Sequence, residues 1–286
     1  TVTGLTHILG QSQPRVSRHL KLLCDAGLLD RFREGTWAFY RLAEGTDGGH
    51  LSRTLSEMIS GDDPDLARDL ERLADVKRGR HESAEAYFRT NASQWDEIRS
   101  LYVPEKDVEA KLLQVFDGMD ITDFLDIGTG TGRMLELFAG RVGRGLGIDQ
   151  SREMLAIARS NLDDVGLGNC QVRHGDMYNL PIAAESVDAV TIHQVLRYAD
   201  DPQTAIREAA RVLRPGGRVA VVDFAPHNVE ALRDQHAHRR LGFTHMEVAG
   251  WLESAGLNPG DTIDLAGDPL TVTIWPAAAP QTEVQT

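Results

Sequence analysis

Cysteine is nearly absent: Cys24 and Cys170 are the only two in 286 residues, and they lie far apart. Such a pair provides neither a disulfide framework nor zinc-ligand spacing. Long apolar runs are missing too, so no segment has the length of a membrane span, and no secretory leader is visible. Positive charge is in deficit, the formal net charge being -13, which opposes binding of most of the chain to nucleic acid or an anionic membrane. A soluble, cytoplasmic protein is the expectation. An initiator methionine is also missing, and the chain opens inside an apolar-periodic stretch, so a segment before Thr1 is expected. The length suffices for two domains, each with its own core.

What the chain does have is organised around 124–132, Phe-Leu-Asp-Ile-Gly-Thr-Gly-Thr-Gly. A short apolar run ends in Asp126, and Gly128, Gly130 and Gly132 follow at every second position. Met134, Leu135, Leu137 and Phe138 then have helical spacing. The pattern predicts a buried strand, a tight turn and a helix. Glycines allow close backbone approach, and a helix N-terminus offers unpaired N–H groups. Gly145–Asp149 reads as the next strand, again ending in an acid. An acid about 20 residues beyond a glycine turn suits a ribose diol.

The charge is uneven. Residues 1–42 hold six basic residues (Arg15, Arg18, Lys21, Arg31, Arg33, Arg41) against three acids (Asp25, Asp30, Glu34), so only this head suits nucleic acid. Leu5, Ile8 and Leu9 mark a short helix, and Ser12 can cap a second one ending before Gly27, with Pro14 in its first turn. Val16, Leu20 and Leu23 share one face, and Arg15 and Arg18 another. Leu29–Arg33 and Thr36–Leu42 alternate around Glu34-Gly35 as a hairpin. Helix, turn, helix and hairpin make a winged helix whose second helix would present Ser12, Gln13, Arg15, Ser17 and Arg18 to the major groove. Residues 12–23 and Ala26-Gly-Leu-Leu resemble the recognition helix of ArsR-type repressors. That resemblance implies DNA binding by a homodimer, with Leu51, Leu55, Met58 and Ile59 as an apolar stripe at the dimer interface or inside one chain. The helix carrying Leu5–Leu9 has no cysteine, so it lacks the thiols through which metal-sensing members bind their ions. Leu66, Leu70 and Leu73 mark a further helix, expected to break at Gly79.

The glycine turn, Asp149, Asp176-Met177 after a third strand, Asp188–His193 as a fourth, and the turn and fifth strand of Leu213–Asp223 occur in the order of class I S-adenosylmethionine (SAM) methyltransferases, and resemble them over about 160 residues. The resemblance implies an α/β fold with a mostly parallel, Rossmann-like sheet and an antiparallel last strand, preceded by the winged helix and a helical linker. The expected divisions are 1–42, 43–100, 101–276 and a disordered tail, 277–286. Thr262–Leu265 and Leu270–Trp275 would be antiparallel strands. The implied SAM contacts are Asp126, Gly128, Thr129, Gly130, Gly132, Asp149, Gln150, Met154, Asp176, Met177 and His193. Tyr87 and Trp95 lie in an aromatic segment that, in ubiquinone/menaquinone-type C-methyltransferases, closes over SAM; an ordinary core stripe is the alternative.

The acceptor side is less legible. His227, His236, His238, Arg239 and Arg240 follow strand five and are assigned to a small-molecule acceptor, with a solvated helix face or a metal site as alternatives; on one helix, His236 and His238 would diverge. His193, His227, Arg197 and Asp223 are the candidates for chemistry. A base is needed only if the nucleophile must lose a proton, and either His193 or His227 suits that role. No metal is assigned. Strand four runs into His-Gln-Val-Leu, without the Pro-Pro-aromatic segment of amino-methylating DNA enzymes or the cysteine of the cytosine-carbon class. Two functions remain: a SAM-dependent methyltransferase fused to a regulator, releasing S-adenosylhomocysteine, or a regulator whose body only senses SAM or that product.

Overall fold

A computed structural model describes residues 2–34, 37–43, 47–58, 63–92 and 104–281. The chain forms two compact units, one of residues 1–84 with 228–230 and one of 85–227 with 231–286. The N-terminal unit contains α1 (Val2–Leu9), α2 (Gln13–Asp25), the antiparallel hairpin β1 (Leu29–Glu34) and β2 (Trp37–Leu42), and α3 (Asp47–Glu57). Ser12 has the extended backbone of an N-cap, yet its side chain makes no cap hydrogen bond, and Pro14 marks the start instead. Val16 and Leu20 are buried, whereas Leu23 is 39% exposed; the expected three-residue face narrows to two. Leu51, Leu55 and Met58 stand exposed at one-turn spacing, and Ile59 lies outside the described residues.

The helix α4 (Pro64–Asn91) runs unbroken through Gly79. A mid-helix glycine costs about 1 kcal/mol relative to alanine, less than losing the hydrogen bonds on both sides. The division between the two units therefore falls inside this helix, and Tyr87 and Phe88 belong to the C-terminal unit.

That unit follows with α5 (Glu105–Val115), β3 (Ile121–Ile127), α6 (Arg133–Phe138), β4 (Val142–Asp149), α7 (Arg152–Asp164), β5 (Cys170–His174), β6 (Val187–His193), α8 (Pro202–Val212), β7 (Leu213–Phe224), α9 (Ala231–His236), α10 (His245–Ser254), β8 (Asn258–Pro259), β9 (Ile263–Ala266) and β10 (Thr271–Ala278). Hydrogen-bonded order is β5-β4-β3-β6-β7-β10-β8, with β9 also on β10. The pairs from β5 to β7 are parallel, and β10 is antiparallel to β7. Strands covered on both faces must be apolar throughout; Leu125, Ile127, Ala189, Val190, Ile192, Val221 and Val222 are each 0% exposed. The chain leaves β3 toward β4 and β5, then returns to the other side of β3 as β6. This reversal opens a crevice at the C-terminal ends of β3 and β6, where open α/β sheets bind ligands.

The tail expectation needs correction. β10 extends to Ala278, with Ala277 opposite Val219 and Ala278 opposite Arg218, and Ala279 N–H donates to Gly217 O at 2.8 Å. The partly uncovered edge of β7 supplies backbone partners that composition does not reveal. Residues 282–286 lie outside the described residues.

Candidate functional site

Three glycines in the left-handed region form the turn: Gly128 at φ 71°, Gly130 at 53° and Gly132 at 88°. Other residues resist that conformation. At Gly128 a Cβ would also lie 2.5 Å from Val195 Cγ2, beyond β6, so the two walls of the crevice meet there without room for a side chain. The N–H groups of Gly128 and Thr129 converge on Ile148 O, at 2.8 and 3.0 Å. Asp149, next along β4, closes the loop: Oδ2 accepts from Gly130 N at 2.9 Å and Oδ1 from Ser151 N at 2.8 Å. Ser151 then caps α7 by accepting from Met154 N. Burial pushes the Asp149 carboxyl above its ordinary range, partly countered by the Ser151 and Gly130 N–H groups.

This loop fits a nucleoside cofactor without phosphate. No lysine or arginine occurs from Asp126 to Gly132, two acids flank the glycines, and the buried Thr129 Oγ1 has no hydrogen-bond partner among the described residues. Asp126 is 1% exposed, and its Oδ1 accepts from Thr191 Oγ1 across the β3–β6 pair at 2.7 Å. It anchors the strand beneath the loop. Asp176 accepts from Tyr178 N at 2.9 Å in a local turn. Gln150 and Met177 are half-buried, Met177 packing on the main core.

Over this side lies an aromatic cover. Met154, Ala92 and Tyr198 pack together with Tyr87, Phe88 and Ile157, and the Phe88 and Tyr198 rings meet edge to face at 4.9 Å. Trp95 lies outside the described residues.

At the end of β6, His193 is 7% exposed, with Nε2 3.8 Å from Glu105 Oε1. Arg197 and Asp223 are 3% and 0% exposed and pair at 3.2 Å. Asp223 also accepts from the Arg197 and Phe224 N–H groups, and the guanidinium lies 4.6 Å from the centre of the Phe224 ring. This geometry makes the pair a wall of the site, mutually neutralised.

The segment after β7 is not one continuous helix, the arrangement on which His236 and His238 would diverge. α9 ends at His236, and Ala237 takes φ 53°, so the chain turns back and sets the His236 and His238 rings 6.2 Å apart. Tyr87 Oη hydrogen-bonds His236 Nδ1 at 2.7 Å. His238 is 6% exposed, between Tyr198 and Phe224, and its Nδ1 has no hydrogen-bond partner among the described residues. His227 lies edge-on to Phe224 at 5.7 Å. Arg239 and Arg240 are committed elsewhere: Arg239 pairs with Asp200, and Arg240 with Glu247 at 2.9 Å. Their N–H groups both donate to Arg197 O. Among the described residues, no group of three or more His, Cys, Asp or Glu is placed to hold a metal ion. Glu105, Thr191 and Phe224 carry no sequence signal of their place here; an acid after Pro104 reads only as a helix start.

Burial, then the Arg197 charge, hold His238 below its ordinary range. An imidazole kept neutral by the fold takes up its proton first in the unfolded chain. Its stabilisation is therefore full above about pH 6.5 and lost on acidification below that, at up to about 1.4 kcal/mol per pH unit. Urea unfolding between pH 7.5 and 5 should show a shallower acid limb in His238→Gln than in the parent; parallel limbs would contradict this placement.

Among known proteins, residues 125–221 match the model of a methyltransferase domain and residues 1–31 that of the bacterial regulatory protein arsR family. The chain is 36% identical over 119 residues to an uncharacterized 37.1 kDa protein in transposon TN4556 of Streptomyces fradiae, covering 41% of this chain and 34% of that one. It is 31% identical over 158 residues to a demethylmenaquinone methyltransferase of Listeria welshimeri, covering 52% and 66%. It thus spans less than two thirds of either relative. A SAM dependent methyltransferase from Aquifex aeolicus shares the fold, at TM-score 0.55 and 23% identity, over 66% of this chain and 97% of that one. The chain thus joins a match to a methyltransferase domain at 125–221, on a class I fold, to a match to the bacterial arsR regulatory family at 1–31.

Proposed function

We propose that the C-terminal unit transfers a methyl group from SAM to a small-molecule acceptor, releasing S-adenosylhomocysteine, while the N-terminal unit binds DNA. The observation that carries this reading is the Asp149 carboxylate held beside the glycine turn by Gly130 and Ser151. It retains lone pairs for a ribose diol, and the loop around it has no cation for a phosphate. When bound, SAM supplies a methyl carbon already activated by its sulfonium, so the protein's task is positioning and exclusion of water. Gly128, Thr129, Gly130 and Gly132 would line the methionine side, and Gln150, Met154, Asp176 and Met177 the adenosine side. Tyr87 would cover the site, with Trp95 following it in the chain. His193, His227, His236 and His238 surround the acceptor side. The Arg197–Asp223 pair fixes that wall, and Arg239 and Arg240 support it through their ion pairs. Asp126 acts from below the loop.

The experiment is incubation with tritiated-methyl SAM and a small-metabolite extract. Labelled product in molar excess over protein is expected. Binding without turnover would make the body a SAM sensor.

In the N-terminal unit Ser12, Gln13, Arg15 and Arg18 are exposed and Ser17 is half-buried, as a groove-facing surface requires. The exposed Leu51, Leu55 and Met58 suit a homodimer. No helix among the described residues is long and apolar enough to cross a membrane, and DNA binding would place the protein in the cytoplasm. Fluorescence anisotropy on DNA upstream of its own gene should show a steep salt dependence. Arg15→Ala with Arg18→Ala should lower the slope of log K against log salt by about 2, roughly one per lost phosphate contact. An unchanged slope would remove these arginines from the interface.

A further inference from the structure

Helix α5 has one face made of Glu105, Val108, Glu109 and Leu112, the i, i+3, i+4, i+7 positions that align along a helix. Val108 and Leu112, at 1% and 0% exposure, lock it into the core. Glu109 grips Arg133, the first residue of α6 behind the glycine turn, by two hydrogen bonds of 2.6 and 2.8 Å. Anchored there, the helix delivers Glu105 one turn earlier to the end of β6. The Glu105 and His193 side chains are 16% and 4% exposed, with Oε1 and Nε2 3.8 Å apart. The strands flanking β6 bring other charges to this end of the sheet. On β3, Asp126 is bonded to Thr191; from β7, Asp223 is neutralised by Arg197. Among the described residues, Glu105 places a carboxylate oxygen within 4 Å of the imidazole.

We infer that Glu105 is a positioning residue for His193, its carboxylate, 3.8 Å from Nε2, stabilising the imidazolium by charge, so that Nδ1 takes the acceptor's proton. The inference rests on the methyl transfer proposed above. The proton passes from the acceptor atom to Nδ1, and its bonding pair stays on that atom as the nucleophile. Glu105 remains ionised throughout, and the imidazolium returns the proton to water after transfer. An opposite charge at this range raises a histidine pKa; a carboxylate serving only the N-terminus of α5 would leave His193 unaffected.

The test is NMR titration of the histidine Cε1–H resonances in the full chain, with the His193 signal identified by its loss in His193→Gln. Glu105→Gln should lower the His193 pKa by about one unit or more, and Glu105→Asp by less. In the tritiated-methyl SAM assay with metabolite extract, Glu105→Gln should lower turnover at neutral pH and move the acid limb of the pH profile by the same amount. Glu105→Asp should restore part of the rate. Should Glu105→Gln fail to fold, the smaller shift in Glu105→Asp carries the test. A folded Glu105→Gln protein whose His193 titrates as in the parent overturns the inference. Full labelled transfer by His193→Gln would instead remove the histidine base from the proposed function, whatever Glu105 does.

Discussion

Asp223→Ala should lose about 3–5 kcal/mol of folding stability, the scale for removing one partner of a buried ion pair. Asp223 is 0% exposed, and its carboxylate accepts from the Arg197 guanidinium and from two backbone N–H groups. Alanine leaves the guanidinium, 3% exposed, without its counter-charge at the centre of the site. Domains are stable by only about 5–15 kcal/mol, so a fifth or more of the total is at stake. Asp223→Asn keeps an acceptor oxygen and should fall between. Replacing both residues, Arg197→Met with Asp223→Leu, should recover only part of the loss: the unpaired guanidinium is gone, but the Arg197 and Phe224 N–H groups still lack their acceptor. Urea unfolding of the four proteins decides. Equal stability of Asp223→Ala and parent would mean that the ion pair does not form, and the proposed acceptor site would need another wall.

Asp149→Ala should weaken binding of SAM and of S-adenosylhomocysteine alike by about 1.5–3 kcal/mol, or roughly 10–150-fold, as expected for hydrogen bonds to a charged group. Both ligands carry the ribose, so the loss should not depend on the methyl group. Part of it would come from the loop, since Gly130 and Ser151 lose their shared acceptor. Asp149→Asn should lie between parent and alanine. Burial raises the Asp149 pKa above its ordinary 3.8, and a diol is bound best by the ionised form. Affinity in the parent should therefore begin to fall, on acidification, at a higher pH than for an exposed aspartate, and Asp149→Ala should lack that fall. Calorimetric titration at several pH values measures both effects. Unchanged affinity in Asp149→Ala would remove the ribose assignment.

Local chemistry explains which parts were legible in advance. Gly128, Gly130 and Gly132 take left-handed backbone that other residues rarely adopt, so the turn showed in the sequence as a spacing. The alternating strands β1 and β2 and the short apolar stretches within β3 and β6 were equally plain, because each pattern reflects the periodicity of its own element. Gly79 misled because a glycine is only a weak helix breaker when long flanks continue the helix. The tail from Ala277 misled because small apolar residues and prolines look unstructured until a neighbouring strand offers them backbone partners. Arg239 and Arg240 stood out as a basic pair beside two histidines, yet their partners Asp200 and Glu247 lie 39 and 7 positions away in sequence, and no spacing connects both.

By itself, the sequence determined the order of elements, the glycine turn with its acid 17 residues beyond Gly132, and a basic head at 1–42 ahead of an acidic remainder. Those features depend on backbone conformation, periodicity and composition, all of them local. Only the tertiary structure decided what each polar side chain at the crevice faces. It turned Asp126 to Thr191, joined Arg197 to Asp223, folded His238 back beside His236 through Ala237, and set Glu105 against His193. Each of those pairings costs desolvation that a short-range pattern cannot signal, and each exists because the sheet and its packed helices hold distant residues within a few ångströms of one another.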